Sequence, residues 1–353
     1  MELVQHSPDK IATVKWYLLV WLLCLALLVG SSYNTYLSYQ RFYNPDTETY
    51  MNIAHFHFKG QSLIRRYRII IPVAAALLAK PISLFYDKLF QDKREGADWP
   101  LITGFFVVNC LVMATAGLFI SLICLHYKVS WLAMLIGLMA YTVGGRWQSF
   151  DAGHPNTDSL CLLVTAMLIY ALLKQHSWLL LITIFIGPFS KESFIFFVPM
   201  ILWFTKGQLR WKAIAALLAS YSIHILFRHW VDAQDIANIQ ASVQADMAHF
   251  GNVLISLKKF ISVKGWGEMF TMYGLFTFIY LAGFWYKSIR GFMIEQLTIF
   301  NISFIGIMLV HAILSSEISR MFYIGSALFI PWMAKLFDLL KLKIWKPAIS
   351  LPQ

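Results

Sequence analysis

The sequence predicts an all-α, polytopic transmembrane bundle of about ten spans. Three observations carry this. Hydrophobic residues make up 59% of the 353 positions and charged residues only 13%, about half the charged share of a soluble domain. The apolar residues come in long blocks rather than as an amphipathic scatter, and in hydrocarbon such blocks must pair their own backbone groups, which makes them helices. Lysine and arginine collect at the block ends, in short connections.

Those basic clusters set the topology. They fall at Lys10/Lys15, Lys128, Lys174, Lys206/Arg210/Lys212, Lys287/Arg290 and Lys335/Lys341/Lys343/Lys346. The positive-inside rule puts them on the cytoplasmic side. Segments 34–98, 146–158, 190–193, 231–265 and 315–320 then face outward, and both termini face in. The spans read as 14–33, 100–126, 130–147, 159–174, 177–189, 193–205, 211–230, 267–286, 293–314 and 319–337. The whole chain, 1–353, is one transmembrane domain. Many tryptophans, among them Trp16, Trp99, Trp131, Trp178, Trp211 and Trp266, sit near span ends as an interfacial belt would.

The stretch Ile69–Tyr86 is apolar but interrupted by Pro72, Lys80 and Pro81. Were it to span, every later basic cluster would flip outward. It is therefore read as a helix lying along the outer surface, within the first exoplasmic loop, 34–98. In loop 231–265, Ile236, Ile239, Val243, Met247, Phe250, Leu254, Leu257 and Ile261 recur at steps of three and four. That predicts an exoplasmic amphipathic helix.

Two spans, 177–189 and 193–205, hold 13 residues each, about 20 Å of helix against a hydrocarbon core of about 30 Å. Their joining turn, with Lys191 and Glu192, should be recessed into the membrane. Charge at that depth is costly and usually faces a cavity or a partner; capping of the short hairpin is the plainer account.

The four cysteines, Cys24, Cys110, Cys124 and Cys161, all lie in apolar blocks. That excludes a disulfide framework or a CxxC metal site. The net charge of +11 belongs to the membrane topology and not to nucleic acid.

Candidate chemistry gathers on the outer side, where all of the 18 acidic residues but Glu2, Asp9, Glu295 and Asp338 are placed. Asn44-Pro45-Asp46 is a turn leading into a short helix. There Asp46 reads as an N-cap or as a general base, and Glu48 points to another side. Arg65, Arg66 and Arg68 break the positive-inside pattern together. One such arginine would snorkel, but three suggest an anionic ligand gripped by guanidinium forks. Further on come Arg146, Asp151, His154 and Asp158. Asp158 sits at the mouth of a span, and the spacing matches no metal motif. Glu317 and Arg320 lie three apart and can pair on one helix face.

In order and side of the membrane, these pieces resemble the GT-C superfamily of integral-membrane glycosyltransferases. Asp46 with Tyr50 and Ala54 looks like the acidic motif of that family's first outer loop. Arg68-Ile69-Ile70-Ile71-Pro72 is similar to the start of its surface helix. Arg146, His154 and Asp158 are similar to its second outer loop, Lys191 to a lysine at a hairpin tip, and Arg320 to a late arginine at a span mouth. The sequence departs from the family in separating Asp46 from Glu48, where many members carry an adjacent acidic doublet.

The resemblance implies a polyprenyl-phosphate sugar donor and a glycan, lipid or protein acceptor. It implies inverting in-line transfer with Asp46 or Glu48 as base. Arg65, Arg66, Arg68, Lys191 and Arg320 would hold phosphate, and Arg146, Asp151, His154, Asp158 and Glu192 would line the substrate site. A divalent cation, Mg or Mn, is compatible but not demanded. A bacterial inner membrane is the expected location. O-antigen-type polymerases or ligases, lipid-linked sugar flippases and non-catalytic membrane subunits are the rival classes.

Overall fold

The computed structural model describes residues 10–38, 45–62, 64–89, 98–235, 251–282, 285–315 and 317–344, and among these it is helical without a strand. Most of the expected amphipathic stripe, Ile236 to Phe250, lies outside the described residues; 251–260 is helical.

The first helix, α1 (Lys10–Leu37), is followed by the short α2 (Pro45–Ala54), by α3 (Ile70–Leu89) and by α4 (Trp99–His126). The middle of the chain forms α5 (Trp131–Val143), α6 (Trp147–Gly153), α7 (Asp158–Lys174) and α8 (Ser177–Ser190). A 3-10 turn over Glu192–Phe197 leads into α9 (Val198–Phe204) and then α10 (Gly207–Asp232). After α11 (251–260) come α12 (Val263–Phe270), α13 (Phe278–Leu281), α14 (Lys287–Glu295), α15 (Ile299–Ser315), α16 (Ile318–Ile324) and α17 (Ser326–Ile344).

At the centre stands α4, with 28 residues, about 42 Å long. Asp98 caps it by accepting from the Leu101 N–H at 3.2 Å, next to Pro100 in the first turn. Small residues let its neighbours close in, as packing without a hydrophobic driving force requires. At Gly104 a Cβ would lie 2.4 Å from the Ala75 carbonyl oxygen of α3, and at Gly117 it would lie 2.8 Å from the Cys24 sulfur of α1. Around the outside, Leu19, Trp178, Trp203, Trp211 and Leu226 are exposed, as lipid-facing side chains are.

Among the described residues, α1 over Val14–Leu37, α4 and α10 are each long and apolar enough to cross a membrane. Three bent pairs are also apolar enough when each is taken as one: α6/α7, α14/α15 and α16/α17, bent by 114°, 87° and 80°. Shorter apolar helices cover Ile70–Tyr86, Trp131–Val143, Ser177–Ser190 and Glu192–Phe204.

Three expectations need correction. The apolar run after Arg68 is part of the packed bundle and not a helix set apart from it. α3 packs lengthwise along α4, with Ala75 against Gly104 and residues 80–83 near 98–101. The two helices are therefore antiparallel, and the start of α3 lies well down the length of α4. Pro72 costs nothing in the first turn of α3, where no intrahelical bond is lost, and Pro81 is carried inside the helix. The expected span 267–286 is broken into α12, a 3-10 turn over Gly274–Thr277 and α13. Gly274, at φ +53°, presses on the Gly144 carbonyl, and the Arg146 N–H donates to the Thr271 carbonyl at 2.9 Å. Backbone contacts to the α5–α6 corner thus outweigh helix continuity there. The last two expected spans, 293–314 and 319–337, are bent. One breaks before α15, where Thr298 accepts from the Asn301 N–H and the Asn301 amide donates to the Gln296 carbonyl. The other breaks at Gly325.

The hairpin α8–α9 is short, as expected. Gly187 lets the Phe194 ring fold against the backbone, where a Cβ would come within 2.4 Å. Lys191 sits in extended backbone at the tip, its N–H on the Gly187 carbonyl and its carbonyl accepting from the Phe194 N–H.

Candidate functional site

Asp158 opens α7 and is buried, its side chain 1% exposed. The loop before it is held in place by side-chain amides. Asn109, deep in α4, donates to the His154 and Asn156 carbonyls, and Ser159 donates to Asn109 Oδ1 at 2.6 Å. The Asp158 N–H donates to Asn156 Oδ1. With its backbone fixed, the Asp158 carboxylate meets three cations from three elements. Arg320 Nε of α16 lies at 2.6 Å, Lys191 Nζ of the hairpin tip at 3.5 Å and Arg68 Nη1, just before α3, at 4.0 Å.

Each arginine is held on its far side by a more exposed carboxylate. Arg68 donates from Nε and Nη2 to Glu192 at 3.2 and 2.7 Å. Arg320 donates from Nη1 to Glu317 at 2.6 Å, the i,i+3 pair expected. Trp147 and Phe150 of α6 place their rings 5.9 and 5.7 Å from the Arg320 guanidinium, and Trp147 Nε1 donates to Ser319. Arg68 Nη1 also donates to the Tyr50 hydroxyl at 3.1 Å.

That bond joins α2 to the cluster. Burial raises the Tyr50 pKa, Arg68 opposes the shift, and the charges of Asp158 and Asp46 add to it. Asp46 stands one turn before Tyr50 on α2 and pairs with Arg65 Nε at 2.8 Å. Glu48 points away and is exposed. The structure thus separates the two candidate bases.

Asp151 lies on α6, between α5 and α7, with no exposed surface. Its Oδ1 accepts from the Asn156 amide at 3.3 Å, and its Oδ2 has no hydrogen-bond partner. Burial, then the neighbouring Asp158 charge, lifts its pKa well above the usual carboxylate range. Gln148, one turn earlier, is buried with both amide atoms unpaired.

The cluster therefore unites Arg68, Asp158, Lys191, Glu192 and Arg320, with Asp151 beside it. The other expected residues lie apart. Arg66 is fully buried and bound to Asp232 and Asp235 at the end of α10. Its neighbour Tyr67 donates to Asp232, and Asp235 also accepts from the Gly60 N–H at 2.9 Å. Arg65, Arg66 and Arg68 are thus not one phosphate grip: each points to a different carboxylate, because the chain turns sharply over 64–67. Arg146 is exposed and stacks on the Trp147 ring at 5.3 Å. His154 stacks on Phe150, ring centroids 4.6 Å apart; burial, then Arg146, lowers its pKa.

Tyr50, Glu317, Asp232, Asp235 and Asn109 enter these networks through tertiary contacts that the sequence does not display. An asparagine inside the most apolar long helix was the one available signal for the last. Among the described residues no three His, Cys, Asp or Glu side chains are grouped to hold a metal ion.

In comparisons with known proteins, no family model matches this chain, and neither does any curated protein or any solved structure.

Proposed function

We propose that this chain is a membrane glycosyltransferase of GT-C type, moving a sugar from a polyprenyl-phosphate donor to an acceptor hydroxyl on the outer side. The observation that carries the reading is the convergence of Arg68, Lys191 and Arg320 on one carboxylate, Asp158, buried among helices of membrane-spanning character. Ionisable groups brought together at such depth are maintained against a cost of insertion, and a functional site is the default explanation. Cations facing the same locus suit a lipid phosphate, whose own charge must be matched where water is scarce.

In this reading the donor phosphate engages Arg68, Lys191 and Arg320. The acceptor oxygen attacks the anomeric carbon in line and gives its proton to Asp46. A new carbon–oxygen bond forms at that carbon, the bond to the phosphate oxygen breaks, and its electron pair leaves on the phosphate. The three cations stabilise the charge that develops there. Asp46 is favoured over Glu48 because it shares a helix face with Tyr50, which is bonded to Arg68. Tail-side contacts fall to the apolar helices.

The test is transfer from a labelled polyprenyl-phosphate sugar pool in membranes carrying matched amounts of wild type, Asp46→Asn and Glu48→Gln. Transfer by wild type and Glu48→Gln, with loss in Asp46→Asn, supports the reading. Equal transfer by all three sinks the assigned base. No transfer by wild type across a broad donor set sinks the function and moves flippase and subunit readings ahead.

A further inference from the structure

The second limb of the Lys191 hairpin and α15 do not close along their length. Aromatic contacts join them at both ends: Phe196 with His311, ring centroids 5.4 Å apart, and Phe204 with Phe300, 4.9 Å apart. Between these ties lies an apolar groove of about 430 Å³. Phe196, Pro199 and Trp203 line one wall, and Ser303, Gly306 and Val310 line the other. Both sets recur at steps of three and then four, so each follows one face of its limb. A Cβ on Gly306 would meet nothing within 4 Å. The space is therefore set by the two backbones and not by one rotamer.

Around Trp203 the groove opens into a second hollow, lined by Pro199, Leu202, Trp203 and Arg210. Arg210 donates from Nε to the Thr205 carbonyl at 3.0 Å. Lys206 and Lys212 stand on either side of it in sequence, both exposed. Among the described residues none of the three is in an ion pair, and the sequence has no acid between Glu192 and Asp232 to supply one. Trp203 and Trp211 are 72% and 73% exposed on apolar helices, where tryptophan marks the level of the lipid headgroups. An apolar slot that ends at unpaired cations, beside such tryptophans, matches a molecule with an acyl chain for the slot and an anion at its end. A water-soluble anion would leave the slot empty, and a neutral lipid would leave the cations unmatched.

We propose that α9, α10 and α15 hold an anionic diacyl phospholipid, with one acyl chain in the groove and its phosphate on Arg210. Basic pockets between helices on the cytoplasmic side take such headgroups, and the positive-inside reading puts Arg210 on that side. The site is separate from the Asp158 cluster: it lies toward the far end of the limb that starts from Lys191. It stands whether or not the chain moves sugar.

The experiment adds dioleoylphosphatidylglycerol or dioleoylphosphatidylcholine to the full chain in a neutral detergent and reads the bound lipid by native mass spectrometry. Wild type, Arg210→Gln, Gly306→Leu and Lys128→Gln are compared. Gly306→Leu fills the groove from a position with room for a side chain. Lys128 is a basic residue expected on the same side of the membrane but placed on the turn between α4 and α5. Wild type should bind the phosphatidylglycerol about tenfold more tightly than the phosphatidylcholine. Arg210→Gln should cost the phosphatidylglycerol about fivefold, the worth of one basic side chain beside an anionic lipid, and leave the phosphatidylcholine within about twofold. Gly306→Leu should weaken both lipids about fivefold or more, through lost contacts to the tail. Lys128→Gln should change neither.

Equal binding of the two lipids by wild type, or binding of neither, overturns the proposal. So does an Arg210→Gln loss matched by Lys128→Gln, which would be the effect of surface charge alone. Full lipid affinity in Gly306→Leu takes the acyl chain out of the groove and overturns it as well. A wild-type dimer that Gly306→Leu breaks, with no loss of lipid, assigns the groove to a second copy of the chain instead. Should Gly306→Leu not fold, the comparison of Arg210→Gln with Lys128→Gln decides.

Discussion

Arg320 donates from Nε to Asp158 Oδ2 at 2.6 Å, across 162 positions of sequence. The bond ties the start of α7 to α16. Asp158→Asn would leave Arg68, Lys191 and Arg320 facing one another around a neutral amide. Breaking a buried pair by removing one partner costs about 3–5 kcal/mol. Asp158→Asn should therefore lower the thermal midpoint in detergent by many degrees. Asp151→Asn, only seven residues away, should cost far less, because burial and the neighbouring Asp158 charge already disfavour the charged form of its carboxyl. Equal losses in the two variants would refute that contrast.

Arg66 makes a second, separate tie between the residues before α3 and the end of α10. Arg66→Gln would take the buried cation away from Asp235, which keeps the Gly60 N–H, and from Asp232, which keeps the Tyr67 hydroxyl, at a cost of up to about 3–5 kcal/mol. Because this pair lies apart from Asp158, the expected signature is a lower midpoint with unchanged donor affinity in the protein that stays folded. A selective loss of phosphate affinity at full stability would restore Arg66 to the anion site.

Gly104 is the point of closest approach between α3 and α4. A methyl there would meet the Ala75 carbonyl oxygen at 2.4 Å, a backbone atom that cannot turn aside. Gly104→Ala should cost about 1–3 kcal/mol as overpacking. Its effect should also reach the site, since Arg68 immediately precedes α3: phosphate affinity should fall along with the midpoint. A neutral or stabilising Gly104→Ala would mean that the two helices lie further apart than described.

His154 sets a pH dependence. Its folded pKa lies below the ordinary value because burial, and then Arg146, oppose the charged form. The unfolded chain therefore takes up a proton more readily than the folded one as pH falls below about 6.5. The contribution is fully present above that pH and is lost as pH falls through the window down to the folded pKa. Wild type should lose more thermal stability than His154→Gln between pH 7.5 and 5.5. Parallel pH profiles for the two proteins would contradict the assignment.

Helices were legible because the signal for them is local. In hydrocarbon each backbone group must be satisfied within its own segment, so apolar blocks declare themselves one at a time. Hence α4, α7 and the short hairpin around Lys191 were readable within a few residues. Asp158 and Lys191 were readable as unusual for the same reason, as charge next to apolar helix. The breaks before α15 and within 267–286 were not readable. They depend on contacts that a one-dimensional pattern does not contain, such as the Gly274 backbone lying on the Gly144 carbonyl.

By itself, then, the sequence determined the class of this protein, its helical blocks and the short list of charged residues set against them. Only the tertiary structure decided how those charges are spent. It sent Arg65, Arg66 and Arg68, adjacent in the chain, to three different carboxylates, and drew Arg68, Lys191 and Arg320 onto one. The physical reason is range. Helix formation in an apolar setting is governed by neighbours within one turn. The ion pairs that make the site join residues as far as 162 positions apart and exist only once the bundle has packed.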